Sequence, residues 1–350
     1  MTDARVTDAG VTDAGVSGGG VSGGGVSGGG AGELLARLRD EAGLDLAALT
    51  PTQDGQSGSA FWVTDRAGLV SLLKLAPGPA APALTYLHAL RASLDQLTGR
   101  GYPVPRWLGV GQAGGRAFWI QQRITGTSLE PAGARPHGAH RTLIARLLPE
   151  LFRLNDAQAG LARPGPGAPG QGSPGEQGWP DLITTTLTEG GHGYCVHATL
   201  DRPGLRDLLP AIRRIGASCG PAIPAGGDFV HYDFTLSNLL SDGQVITGVI
   251  DLNPPMLAGD RAFDLATLLY YLYDCAELAG PLAARLFALA GQAAARAYLA
   301  HMALRQADWS LRFYPDAAAT RRHVRLARLV MADIAPLGIA PRGIAPLDDD

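Results

Sequence analysis

Residues 229–251 restrict the possible folds of this chain more than any other segment. They run Phe229-Val230-His231-Tyr232-Asp233-Phe234-Thr235-Leu236-Ser237-Asn238-Leu239-Leu240, turn at Ser241-Asp242-Gly243, and continue as the apolar run Val245–Ile250, which delivers Asp251. A Gly-containing turn between two apolar runs reads as a hairpin, here one whose second strand ends on a carboxylate. Phosphoryl transfer needs a carboxylate that orients and deprotonates the attacking hydroxyl, plus oxygen ligands for Mg2+ on the nucleotide phosphates. Mg2+ takes few protein ligands and keeps water and phosphate oxygens for the rest. Asp233, Asn238 and Asp251 supply those groups in that order. Each also has a plainer reading as a turn or helix-cap side chain, which leaves their joint spacing unaccounted for. His231 reads as a structural partner of the loop rather than a proton carrier.

A second feature sits about 160 residues upstream. Lys74 is the only lysine: of 29 Lys and Arg, the remaining 28 are arginines. Arginine is a planar fork, whereas lysine is a compact ammonium on a flexible stem that can reach a phosphate as a point charge. In Ser71-Leu72-Leu73-Lys74-Leu75 it interrupts an apolar, strand-like run. A snorkelling edge lysine is the plain alternative.

The chain has 350 residues, enough for two domains or one bilobal unit. A formal net charge of −3 leaves no general footprint for nucleic acid. Cys195, Cys219 and Cys275 are widely spaced, without metal-type clustering. With no signal peptide evident, they point to a reducing, cytoplasmic setting. The apolar stretch Leu265–Tyr273 is too short to span a membrane, so no membrane partner is expected.

Residues 1–30 are a pentad array of Val-Thr-Asp-Ala-Gly passing into Val-Ser-Gly-Gly-Gly, which reads as a disordered tail. Residues 31–126 read as a small lobe. Glu33–Ala42 looks helical, and Ala60–Thr64 and Leu69–Leu75 flank the turn Asp65-Arg66-Ala67-Gly68. Leucines 84, 87, 90, 94 and 97 keep helical spacing. Arg106–Val110 and Ala117–Gln122 follow as strands. Residues 127–335 read as a mostly helical lobe, with helices over His140–Ala157, Gly204–Ile215, Ala262–Asp274, Pro281–Tyr314 and Ala317–Ala335. Residues 160–179 form a Pro/Gly-rich insertion and 336–350 a second tail. Trp179, Trp309 and Tyr314 read as core first and as pocket lining second.

From about Ala47 to Asp264, and on toward Ala335, these motifs resemble the aminoglycoside phosphotransferase family, small-molecule kinases with a protein-kinase-like fold. Gly259-Asp260-Arg261-Ala262-Phe263-Asp264-Leu265-Ala266 matches that family's Gly-Asp-x-x-x-Asp-Leu-Ala element. The resemblance implies an α+β, bilobal, protein-kinase-like fold, with a β-rich N-lobe carrying one main helix and a larger helical C-lobe. It implies ATP or another nucleoside triphosphate, Mg2+ and a small-molecule hydroxyl acceptor. Asp233 would be the catalytic base, Asn238 and Asp251 the metal ligands, and Lys74 the contact to the α/β-phosphates. Gly55, Ser57, Gly58 and Ser59 lie where the phosphate-covering loop is expected, and Gln122 and Ile124 where main-chain groups would bind adenine. A bare hairpin turn is the alternative for the glycine-rich loop.

Three departures accompany the resemblance. Leu84–Leu94 holds no acid to pair with Lys74, so either Asp95 serves, or the lysine pairs only with phosphate and Asp251. Tyr232 stands where the family usually has Gly, and Leu252-Asn253 follows Asp251 in place of the common Trp or Phe. The missing acid motivates one alternative, a catalytically inactive kinase-like binding module. Another is an iron site built from His231, Asp233 and a distant His301 or His323. Asp260, Asp274, Glu277 and Asp308 are available for a cationic acceptor, although such acids are also ordinary solvated helix faces.

Overall fold

The structure, a computed structural model, describes residues 28–52, 59–130, 136–161, 178–190, 195–252 and 257–335. The N-terminal region is a five-stranded antiparallel sheet of order β1-β2-β3-β5-β4, built from β1 (Leu46–Pro51), β2 (Ala60–Asp65), β3 (Val70–Leu75), β4 (Trp107–Ala113) and β5 (Arg116–Gln122). The β2–β3 turn closes as expected: Asp65 Oδ1 accepts the Leu69 N–H at 2.9 Å.

Helices cover both faces of the sheet, and strand periodicity sorts the side chains between them. Leu73 and Leu75 of β3 and Phe118 and Ile120 of β5 pack with Leu38 of α1 (Gly28–Asp40). Ala117 and Trp119 join the other cluster, with Leu87, Leu90 and Leu94 of α2 (Ala80–Gly99). Lys74 lies opposite Trp119 in the β3–β5 register. Period 2 therefore turns it away from the core of Leu73 and Leu75. The helix α1 begins at Gly28, inside the stretch read as tail, and β1 extends the expected hairpin by one strand.

Beyond β6 (Thr127–Ser128) the chain is mostly helical: α3 (Gly138–Ala157), α4 (Trp179–Thr188), α5 (Leu208–Cys219), α6 (Ala262–Tyr271), α7 (Ala276–Phe313) and α8 (Ala318–Ile334). Every residue from Ala262 to Tyr270 is buried, as befits a helix apolar on all sides at the centre of a lobe. The expected helix starting at Gly204 instead starts at Leu208, and Gly204 itself has φ 85°. The helix α4 was not expected, because its first residue closes a Pro/Gly-rich stretch. Burial of Trp179 against Phe263 (5.3 Å, edge-on) supplies what local composition lacks.

The helix α7 is long and apolar enough to cross a membrane by length and composition alone, more than the stretch Leu265–Tyr273 indicated. Gly291 (φ 75°, ψ 167°) interrupts it, and Ala294–Ala307 are buried within the helical lobe.

Two small ladders carry the loop between the lobes: β8 (Leu239–Ser241) pairs with β9 (Ile246–Val249) and β6, and β7 (Asp228–Val230) pairs with β10 (Leu257–Gly259). Gly226 (φ 85°) leads into β7, and a Cβ there would lie 2.7 Å from the Gly259 backbone. Gly226→Ala is expected to cost about 1–3 kcal/mol, from strained φ and a clash with backbone that cannot yield. Urea unfolding reads this directly, and an unchanged midpoint would contradict the close approach.

Candidate active site

The loop from His231 to Asn238 is held by buried hydrogen bonds before any of its side chains does chemistry. Asp264, at the start of α6 and fully buried, accepts the N–H groups of His231 (2.8 Å) and Tyr232 (2.9 Å) and the amide of Gln158 (2.6 Å). His231 Nε2 lies 2.9 Å from the Ile250 carbonyl, and its Nδ1 accepts the Asp233 N–H at 3.3 Å. One neutral tautomer satisfies both contacts, so His231 holds the loop, as its sequence context indicated. Ile250 N–H in turn donates to the Asn238 carbonyl at 2.9 Å. The loop and the strand end that presents Asp251 are thereby laced together. Asp260 accepts the Ala262 N–H (2.9 Å) and the Tyr298 hydroxyl (2.8 Å).

Tyr232 and Asp251 are the two non-glycine residues with positive φ among the described residues, at 69° and 61°. A left-handed conformation costs a bulky L-residue roughly 1–2 kcal/mol, which explains why glycine suits position 232. Here the ring stacks on Phe263 (5.2 Å, 11°), the Arg305 guanidinium lies 4.5 Å above it, and both main-chain polar groups are bonded. These contacts offset the strain.

The four principal site residues converge. Lys74 Nζ reaches Asp251 Oδ1 at 2.8 Å across 177 residues of sequence. Asn238 donates to the Asp233 carbonyl (2.8 Å) and to its Oδ2 (3.2 Å). Asp95 is exposed on α2, so the acid facing the lysine is Asp251. Ser59 accepts the Leu75 N–H at 2.8 Å, next to Lys74, while Gly55, Ser57 and Gly58 lie outside the described residues. Gln122 ends β5 with its N–H donated to Arg106 (2.8 Å), and Ile124 packs beside Gly248.

Asp233 also faces a cation that sequence reading missed. Arg305 of α7 donates to Asp233 Oδ1 at 3.2 Å and to the Tyr232 carbonyl at 2.6 Å. Burial pushes the Asp233 carboxyl above its ordinary range; Arg305 pulls it back, Asp251 raises it, and His231 and the Asn238 amide lower it. The net shift is upward, toward a stronger base. Glu130 shifts the same way, mainly by burial, against the pull of Arg322 and the Ser237 hydroxyl and with a further push from Asp233. One signal for Arg305 was present: His301, Arg305, Asp308 and Arg312 form a polar stripe at helical spacing along the C-terminal half of the helix.

For a divalent cation the donor set is right. Asn238 Oδ1 is buried with no hydrogen-bond partner among the described residues, which is a costly state for an amide oxygen unless a ligand meets it. Asp251 adds a carboxylate. Among the described residues no three His, Cys, Asp or Glu side chains cluster, so the iron triad is not assembled. His301 instead stacks edge-on against Phe263 at 5.1 Å, and His323 packs against Tyr270 and Tyr271.

The deciding comparison is with family models: that of the phosphotransferase enzyme family, APH, matches residues 48–300. The chain belongs to this family. Membership makes it a small-molecule phosphotransferase. No curated protein sequence matches it significantly. Among solved structures, an aminoglycoside phosphotransferase from Alicyclobacillus acidocaldarius subsp. acidocaldarius DSM 446 superposes with TM-score 0.51 at 15% identity, over 87% of this chain and 94% of that one. A candidate fructosamine-3-kinase from Thermobifida fusca YX-ER1 gives TM-score 0.50 at 20% identity, over 85% and 98%. At such identities the likeness speaks for the fold, which is bilobal and protein-kinase-like, with a β-rich N-terminal lobe and a helical C-terminal lobe.

The acids once available for a cationic acceptor are engaged elsewhere in this phosphotransferase. Asp274 pairs with Arg322 (3.2 Å), Asp308 with Arg312 (2.7 Å), Glu277 with Arg141 (3.0 Å), and Asp260 with Tyr298. Trp179 is core, its indole N–H donating to the Tyr298 hydroxyl at 3.1 Å. Trp309 is half-buried and stacks near Tyr314, which is 39% exposed. The three cysteines are buried and in no disulfide, and burial pushes the Cys195 thiol up to about 12.

Burial also makes this fold sensitive to acid. It lowers His301 to about 3, with Arg305 adding to the effect, and His323 to about 4, with Arg322 adding. Unfolded histidine titrates near about 6.5, so below that pH the unfolded chain binds protons that the fold refuses. Stability is therefore complete above that value and falls as the pH drops toward the folded values, by about 1.4 kcal/mol per pH unit for each histidine. The raised carboxylates of Asp233, Asp260 and Asp264 act in the opposite sense at lower pH. The difference between wild type and His301→Phe isolates one histidine: the slope of unfolding free energy between about pH 6 and 5 should fall by about 1.4 kcal/mol per unit. Equal slopes would mean that His301 titrates in the fold as it does in water.

Proposed function

We propose that this protein transfers the γ-phosphoryl group of ATP, or of another nucleoside triphosphate, to a hydroxyl of a small molecule with Mg2+ as cofactor. The Lys74–Asp251 pair carries this reading: at 2.8 Å it ties the N-terminal sheet to the loop that holds Asp233 and Asn238. The cleft between the lobes receives the nucleotide. Main-chain groups at Gln122 and Ile124 meet the base, and backbone N–H groups from Gly55–Ser59 would donate to the phosphates. Lys74 has three N–H donors, so it can hold Asp251 and an α/β-phosphate oxygen together.

Asn238 Oδ1 and Asp251 would hold Mg2+, which when bound offsets charge on the phosphates and on the transferred group. Asp233 accepts the proton of the acceptor hydroxyl. That oxygen then forms its bond to the γ-phosphorus as the bond from phosphorus to the bridging oxygen of the departing diphosphate breaks. Asn238 and Arg305 hold the Asp233 carboxylate on its two oxygens, so little reorganisation is left for the transition state. The buried cysteines, in no disulfide, agree with a reducing, cytoplasmic location.

The missing helix acid favoured an inactive binding module, but Asp251 supplies the partner that lysine needs. ADP release from the full chain with Mg-ATP and a panel of hydroxyl acceptors tests the reading. Turnover that EDTA abolishes is the expected result. Nucleotide binding without turnover of any acceptor, or of water, would instead establish the inactive module. No nucleotide binding at any Mg2+ concentration would refute both.

A further inference from the structure

The charge of the acceptor is written on one face of α7. Arg305 is buried, with its side chain 6% exposed, and it is held at three points: Asp233 Oδ1, the Tyr232 carbonyl and the Tyr232 ring. A guanidinium fixed in this way cannot swing aside for an incoming group. It neutralises Asp233 from within the protein, so an approaching ligand meets a dipole rather than a net negative charge, and attraction falls off accordingly. The neighbouring acids offer no substitute, because Asp274 and Asp308 have fully buried side chains with arginine partners of their own at 3.2 and 2.7 Å. Of the other acids near Asp233, Asp251 is paired with Lys74 at 2.8 Å, and Glu130 is half-buried with Arg322 close by.

We propose that Arg305 determines acceptor specificity: it supplies to Asp233 the counter-charge that an acceptor ammonium would otherwise bring, so that the site selects uncharged or anionic hydroxyl compounds over polycations. This rests on the reading of Asp233 as the base. The balance of transfer is unchanged; what Arg305 sets is which molecule can bring its hydroxyl to Asp233.

Kanamycin, a polycationic polyol, and its fully N-acetylated, uncharged derivative are suitable probes of one scaffold. They are titrated calorimetrically into the full chain loaded with Mg-ADP. The wild type should bind kanamycin no better than the acetylated compound. Arg305→Gln should tighten kanamycin binding by at least about tenfold while leaving the acetylated compound unchanged, and the gain should shrink with added salt. Arg305→Lys, which keeps the charge, should leave the preference between kanamycin and its acetylated form where the wild type has it. Kanamycin binding that is unaltered in Arg305→Gln overturns the proposal. So does a wild type that prefers kanamycin tenfold over its acetylated form, and this comparison decides the matter even where Arg305→Gln does not fold. A chain that binds Mg-ADP but prefers the polycation loses only the role of Arg305. A chain that binds no Mg-ADP loses the phosphotransferase reading, and this proposal with it.

Discussion

Asp233→Asn should lower kcat by about 10²–10⁴, the usual worth of a positioned general base, while Mg-ADP still binds with wild-type affinity. The amide keeps the shape of the carboxylate, its one oxygen can still accept from Arg305, and Asn238 keeps its bond to the main-chain carbonyl of residue 233, so the loop stays in place and the loss reports on proton removal. Asp233→Ala should be equally inactive but also less stable. Both variants remove the counter-charge of Arg305, 5% exposed, and Ala removes the acceptor oxygen as well; orphaning one member of a buried pair costs roughly 3–5 kcal/mol. ADP-release kinetics and calorimetric ADP titration on both variants separate the effects. Wild-type turnover in either would remove Asp233 from the mechanism.

Asp264→Ala should produce a loss of stability of the same order, about 3–5 kcal/mol, because three buried donors lose their acceptor together, at roughly 1–3 kcal/mol each without full additivity. The donors are the N–H groups of His231 and Tyr232 and the amide of Gln158. Since Tyr232 is held in a left-handed conformation partly by that bond, turnover should fall as well, although Asp264 touches no reacting atom. Chemical unfolding measures the first effect and ADP release the second. A variant that is destabilised yet fully active would show that the loop keeps its shape without this anchor.

Much of this was legible in the chain. The hairpin after Asn238 and the arrival of Asp251 at a strand end follow from an apolar run bounded by Ser241-Asp242-Gly243. The apolar run around Lys74 likewise read as a strand, and the structure's alternation in β3 then sets Lys74 on the face away from Leu73 and Leu75. Local order of this kind is encoded by neighbours within a few residues, so a sequence displays it. Helix α4 was not legible, because Trp179 earns its position from Phe263 and Tyr298, which lie 84 and 119 residues further on.

The residue types and their order, Asp233, Asn238, Asp251 and a lone Lys74, were determined by the sequence, and with them the family and the class of chemistry. Which acid faces that lysine, which acids are free to meet an acceptor, and what cation faces Asp233 were decided only by tertiary structure. Partners such as Asp251 for Lys74 and Arg305 for Asp233 sit 177 and 72 residues apart. A buried charge takes its partner from whichever element folding packs against it, and spacing along the chain carries no record of that choice.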